Sequence, residues 1–196
     1  MLSNRDYILI IDKSGSMATK DQPGGKSRWE AIKESTMAVA SRCEELDPDG
    51  ITVYLFAGKF KRYDQVTAAK VQQIFQENEP SGNTNLTAVL QDALDRHFTK
   101  THKRPTTILV VTDGEPDDRK SVFEAIIQAT QRMTADEELA ISFLQIGNDP
   151  QATQFLKSLD DKLTGVGAKF DIVDTVTFAD MEDMTITEVL TNAIVD

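Results

Sequence analysis

Short and almost unbroken apolar runs, separated by longer stretches of helical period, constrain this chain more than any other feature. Tyr7 to Ile11, Ile51 to Phe56, Thr107 to Val111 and Leu139 to Ile146 are each of strand length. A strand with one wet face alternates apolar with polar residues, whereas a strand covered on both faces reads as a continuous apolar run. Between these runs lie helical stripes. Trp29, Ile32, Thr36, Met37, Ala40 and Cys43 repeat at helical spacing up to Leu46, where Asp47-Pro48-Asp49-Gly50 stops the helix. Ala68 to Glu77 reads as a short helix, and Leu86, Val89, Leu90, Ala93, Leu94 and Phe98 mark another. Val122, Phe123, Ile126, Ile127, Ala129 and Met133 mark the next, and Phe155, Leu156, Leu159 and Leu163 a further one opened by Pro150.

Strands alternating with helices specify an α/β domain with a mainly parallel sheet and helices on both faces. The weak alternation from Lys59 to Val66 suits a short edge strand whose lysines and arginine discourage further pairing. Phe170 to Val173 is expected as a last short strand and Met181 to Ile194 as a closing helix. With no repeat, low-complexity tract or linker, residues 1–196 are expected to form a single domain.

Charge and cysteine content remove several function classes. Lysine and arginine total 21 against 32 acidic residues, a formal charge of −11. The summed field repels nucleic acid and anionic membranes. One cysteine permits no internal disulfide and no cysteine-based zinc site. The apolar runs are far too short to cross a bilayer, and Arg5-Asp6 ahead of the first run is no secretory signal. A soluble, cytoplasmic protein is the expectation.

In a doubly wound sheet, ligands collect beyond the carboxyl ends of the strands, where strand order reverses. Asp12-Lys13-Ser14-Gly15-Ser16 follows the first strand, and Thr112-Asp113-Gly114-Glu115 follows the run at 107 to 111. A third loop, ending in Ser81-Gly82-Asn83-Thr84, feeds a helix. Together they offer two carboxylates and three hydroxyls. Such oxygen donors suit Mg²⁺, Mn²⁺ or Ca²⁺ rather than zinc or copper. Asp12, Ser14 and Ser16 occupy alternate positions of a tight turn and can face one ion, with Asp113 and Thr84 approaching from the other loops. Two carboxylates balance a divalent charge, leaving a coordination position for an oxygen from outside, such as a partner's aspartate or glutamate.

Asp12-x-Ser14-x-Ser16, Gly82-Asn83-Thr84-Asn85-Leu86 and Thr112-Asp113-Gly114 resemble, in order and in strand context, the three parts of the metal-ion-dependent adhesion site of von Willebrand factor type A domains. The resemblance extends over essentially the whole chain. It implies a doubly wound, mostly parallel sheet with one short antiparallel edge strand and helices on both faces. It also implies Mg²⁺ or Mn²⁺ held directly by Ser14, Ser16 and Thr84, with Asp12 and Asp113 acting largely through water or hydrogen bonds. Asn83 departs from the glycine common before that threonine. Thr87, one helical turn further on, is a lesser candidate for the same role.

The function expected is therefore non-enzymatic: a metal-dependent module that binds a protein partner's acidic side chain. A metal-assisted phosphate-ester hydrolase is the alternative, since an aspartate after the first strand invites comparison with haloacid dehalogenase phosphatases. Those place a second aspartate two residues on, where this chain has Ser14, and neither His97 nor His102 follows a strand where a base would stand. Gly24-Gly25-Lys26-Ser27 imitates the end of a phosphate-binding loop, but Lys20 stands where its first glycine belongs. His97 and His102 are five apart and read as surface or helix-end residues; Cys43 reads as a small buried hydrophobe. Glu115, Asp117 and Asp118 are expected to cap the helix beginning near Arg119. The stretch from Met17 to Arg28 reads as a solvated loop whose Lys20, Lys26 and Arg28 could meet an acidic partner.

Overall fold

The computed structural model describes residues 5–46, 50–101 and 104–177 together with Glu188, with the backbone alone for 42–46. Among the described residues six strands make one sheet: β1 (Asp6–Asp12), β2 (Ile51–Phe56), β3 (Phe60–Val66), β4 (Thr106–Thr112), β5 (Leu139–Gln145) and β6 (Val173–Val176). Their spatial order is β3-β2-β1-β4-β5-β6. Every neighbouring pair is parallel except β2 and β3, which are antiparallel. The exposed β3, with Lys61 and Arg62 on its rim, closes that edge against further pairing.

The five longer helices among the described residues are α1 (Arg28–Leu46), α2 (Ala68–Gln76), α3 (Leu86–Thr99), α4 (Arg119–Arg132) and α5 (Pro150–Lys162). Because side chains alternate across a strand, each apolar run feeds two cores. Tyr7, Leu9 and Ile11 join Val53, Leu55, Leu109 and Val111 beneath α1 and α2, where Trp29 packs on Phe75 with ring centroids 4.4 Å apart. Ile8, Ile10, Tyr54, Phe56, Ile108 and Val110 meet α3, α4 and α5 on the other face. Burial of every residue of β2 and of β4 explains why those segments lack alternation.

Polar side chains at the loop ends start the helices. Thr67, Asn85, Asp118 and Asp149 each accept a backbone N–H in the first turn of α2, α3, α4 and α5. Asp118 is thus the cap expected for α4, while Glu115 pairs instead with Arg119 and Asp117 turns toward the amide of Thr84.

Three readings change. The last strand runs from Val173 to Val176, later than Phe170 to Val173, because Ile141 of β5 pairs with Val173 and Phe170 packs against the core ahead of it. His97 is a helix-end histidine as expected, in the last turn of α3, but buried rather than on the surface: it continues the inward series Ala93, Leu94, and its Nδ1 lies 2.8 Å from the Thr106 hydroxyl. The segment from Met17 to Arg28 is not merely solvated, since Met17 is fully buried and two short 3-10 turns shape the loop. His102, the Cys43 side chain and, apart from Glu188, the helix expected from Met181 to Ile194 lie outside the described residues.

Candidate functional site

Strands β1 and β4 are neighbours, but the chain leaves β1 toward β2 on one side and reaches β4 only after crossing back, so the strand order reverses between them. Their parallel register, Ile11 opposite Val111, brings the end of β1 beside the end of β4. Asp12 therefore accepts a hydrogen bond of 2.7 Å from the Thr112 hydroxyl through Oδ2, and one of 2.7 Å from the Ser14 amide through Oδ1. The turn then carries Ser14 and Ser16 to the same place, their hydroxyl oxygens 3.1 Å apart. Ser16 donates to Oδ1 of Asp113 over 2.9 Å, which links the two loops.

The third loop is stitched to the first by its backbone. Ser81 N–H donates to the Lys13 carbonyl at 2.7 Å, and Gly15 N–H to the Gly82 carbonyl at 3.2 Å. Asn85 N–H reaches the Ala57 carbonyl at 2.9 Å. Thr84 is held half-buried beside the turn, its carbonyl accepting from Leu86 and Asp117. The structure thus joins Ser14, Ser16 and Asp113 through side-chain hydrogen bonds, ties Asp12 to them through the Ser14 amide, and brings Thr84 to the adjoining loop. Among the described residues no hydrogen bond joins the Thr84 side chain to that chain. Thr87 instead donates to the carbonyl of Asp118, away from the cluster.

The electrostatics of the group are uneven. Asp12 and Asp113 are almost fully buried, at 0% and 2% exposure, whereas Ser16 is open to solvent. Asp12 has no ion-pair partner among the described residues, and burial pushes its carboxyl up to about 6, reinforced by the nearby Asp113 and opposed by the Ser14 and Thr112 hydrogen bonds. Asp113 does have a countercharge. The Arg28 guanidinium donates to its Oδ2 at 2.8 Å from the start of α1 and simultaneously grips Asp21. Among the described residues no three His, Cys, Asp or Glu side chains gather as a metal cluster. The candidate set is of another kind, two carboxylates with neutral hydroxyls. A buried carboxylate without an ion-pair partner among the described residues, beside hydroxyls that reach solvent at Ser16, fits a hard divalent cation.

The Arg28–Asp113 bond was not foreseen from the sequence, which set Arg28 near the proposed ion but as a charge for an acidic partner. A basic residue within that short loop was the sole signal; its partner lies 85 positions away.

A family model described as the von Willebrand factor type A domain matches residues 7–116, more than half of the chain. The chain belongs to that family. Solved structures agree on the fold of this A domain. It superposes on a mutant of the PilB minor pilin from Streptococcus sanguinis with a TM-score of 0.63 at 15% identity, covering 98% of this chain and 60% of that one. It matches the manganese-loaded TRAP protein of Plasmodium vivax with a TM-score of 0.65 at 17% identity, covering 98% of this chain and 74% of the other. A third match is proximal thread matrix protein 1 from the mussel byssus, described with a zinc-occupied MIDAS motif. That one has a TM-score of 0.60 at 17% identity, over 98% of this chain and 46% of the mussel protein. The A domain thus spans less than two thirds of the pilin and mussel chains. A comparison with curated proteins by sequence finds no match.

Proposed function

We propose that this A domain is a non-enzymatic, metal-dependent interaction module. It holds Mg²⁺, with Mn²⁺ or Ca²⁺ as substitutes, through Asp12, Ser14, Ser16, Thr84 and Asp113, and through that ion captures an aspartate or glutamate of a protein partner. The observation that carries this reading is Asp12: fully buried, without an ion-pair partner among the described residues, and tied through the Ser14 amide to hydroxyls that open to solvent at Ser16. Neutral Ser16 and Thr84 supply oxygens at the rim, Ser14 one just inside it, and the two carboxylates supply the charge beneath. A bound divalent ion offers an electrophilic position that an external carboxylate can occupy. The manganese and zinc named for the TRAP and mussel proteins support divalent-metal binding in this fold, without choosing the ion here. No helix among the described residues is long and apolar enough to cross a membrane, and the acidic charge of −11 disfavours nucleic acid and anionic lipid. A cytoplasmic protein partner is the reading we adopt.

The test is thermal unfolding of chelated protein before and after adding Mg²⁺, then Mn²⁺ and Ca²⁺, beside Asp12→Ala. An ion at about ten times its Kd raises stability by about 1.4 kcal/mol, a shift of roughly 3–6 °C for a domain of this size. The reading expects that shift in the wild type and none in Asp12→Ala. No response to any ion, or an equal response in the variant, overturns it.

A further inference from the structure

Arg28 is built into the site more firmly than a surface arginine. Its backbone N–H donates to the Thr19 carbonyl at 3.0 Å, and its side chain is only 11% exposed. Nε reaches both oxygens of Asp21 at 3.1 and 3.0 Å, and one terminal nitrogen adds a 2.5 Å bond to Asp21 Oδ2. The other terminal nitrogen takes Oδ2 of Asp113. The guanidinium plane rests against Gly147, just beyond β5, whose φ of +82° suits glycine. A Cβ at position 147 would fall 2.5 Å from Arg28 Cζ, so only a glycine leaves room for the guanidinium where it sits. Three loops hold this one cation: the one carrying Thr19 and Asp21, the one carrying Asp113, and the one at Gly147.

Both oxygens of Asp113 are consequently in use, Oδ1 by the Ser16 hydroxyl and Oδ2 by Arg28. We infer that Arg28 is a positioning residue of the metal site: it keeps Asp113 out of direct contact with a cation gathered by Ser14 and Ser16, and places a fixed positive charge beside it. This rests on the metal-binding reading above and adds a trade to it. A neighbouring positive charge weakens the hold on a divalent ion. The same charge, with one carboxylate withheld, leaves the ion more electropositive toward an outside carboxylate. Arg28 gives up metal affinity and strengthens the pull on an acidic partner.

The experiment uses Mn²⁺ alone as the probe. Its Kd is measured by electron paramagnetic resonance, and its bound waters are counted by proton relaxation, in wild type, Arg28→Gln and Gly147→Ala. The alanine displaces the guanidinium without deleting its charge, and a melting curve confirms that each variant is folded. Release of Asp113 is expected to tighten Mn²⁺ binding about five-fold or more in Arg28→Gln. One bound water is lost as the freed carboxylate takes its place, and Gly147→Ala loses that water with a smaller gain in affinity. Folded variants with unchanged or weaker Mn²⁺ binding and an unchanged water count overturn the role of Arg28 while leaving the metal site standing. A wild type that binds no Mn²⁺ overturns both.

Discussion

Strand β1 carries an aspartate at each end, and the two are treated in opposite ways. At its amino end Asp6 is ion-paired with Lys100 beside a second pair, Asp64 with Arg96, around a cavity of about 130 Å³. Those side chains stay partly exposed, Asp6 at 18% and Lys100 at 26%. At its carboxyl end Asp12 is completely buried, faces only neutral donors, and keeps a raised pKa of about 6. Folding alone favours the first arrangement, because a buried charge without a partner is costly. On the proposed reading, the difference teaches that the carboxyl end awaits a cation from outside the chain, whereas at the amino end Lys100 and Arg96 of the chain itself supply the countercharge.

Substitutions at the two ends should therefore differ in sign as well as size. The largest effect is expected from Asp113→Ala, which leaves the nearly buried Arg28 guanidinium with Asp21 alone. A loss of about 2–3 kcal/mol follows, seen as a fall of roughly 5–10 °C in Tm of the chelated protein. An unchanged Tm would mean that the Arg28–Asp113 pair is not held as described. Asp12→Asn should act in the opposite direction. Its carbonyl oxygen can still accept from the Ser14 amide, and its NH₂ can donate to the Thr112 hydroxyl once that hydroxyl turns round. Removing the uncompensated charge is expected to stabilise chelated protein by about 1 kcal/mol, or roughly 2–4 °C, while abolishing the response to metal. A destabilised Asp12→Asn would show that the Asp12 charge is satisfied within the fold. Lys100→Ala gives the smallest change, below about 1 kcal/mol for a partly exposed pair, with metal response intact. A larger loss there would erase the contrast between the ends.

How much of this was legible in the sequence depended on how far apart the interacting residues lie. Strands β1, β2, β4 and β5 announce themselves because burial on both faces removes alternation, as Ile8 and Leu9 show by entering different cores. The start of β6 does not, since its register is set by pairing with Ile141 and not by where the apolar run Phe170 to Val173 falls. His97 read as a surface or helix-end residue when set against His102; it does end α3, yet its spacing from Ala93 and Leu94 already placed it on the inner face. Asp12, Ser14, Ser16 and Asp113 could be found because a doubly wound sheet gathers strand ends at its point of reversal. The clamp of Arg28 between Asp21, Asp113 and Gly147 depends on three loops meeting in space, and no local pattern encodes that. Buried Met17 was hidden for the same reason, inside a loop whose charges suggested solvent.

The most direct test of the central claim is a crystal structure of the wild type grown with Mn²⁺ and read by anomalous scattering. The account predicts one strong peak between the ends of β1 and β4, in contact with the hydroxyls of Ser14, Ser16 and Thr84, with Arg28 still bound to Asp113. A peak at Glu115 and Asp117 instead, or none at this end of the sheet at saturating Mn²⁺, would contradict it.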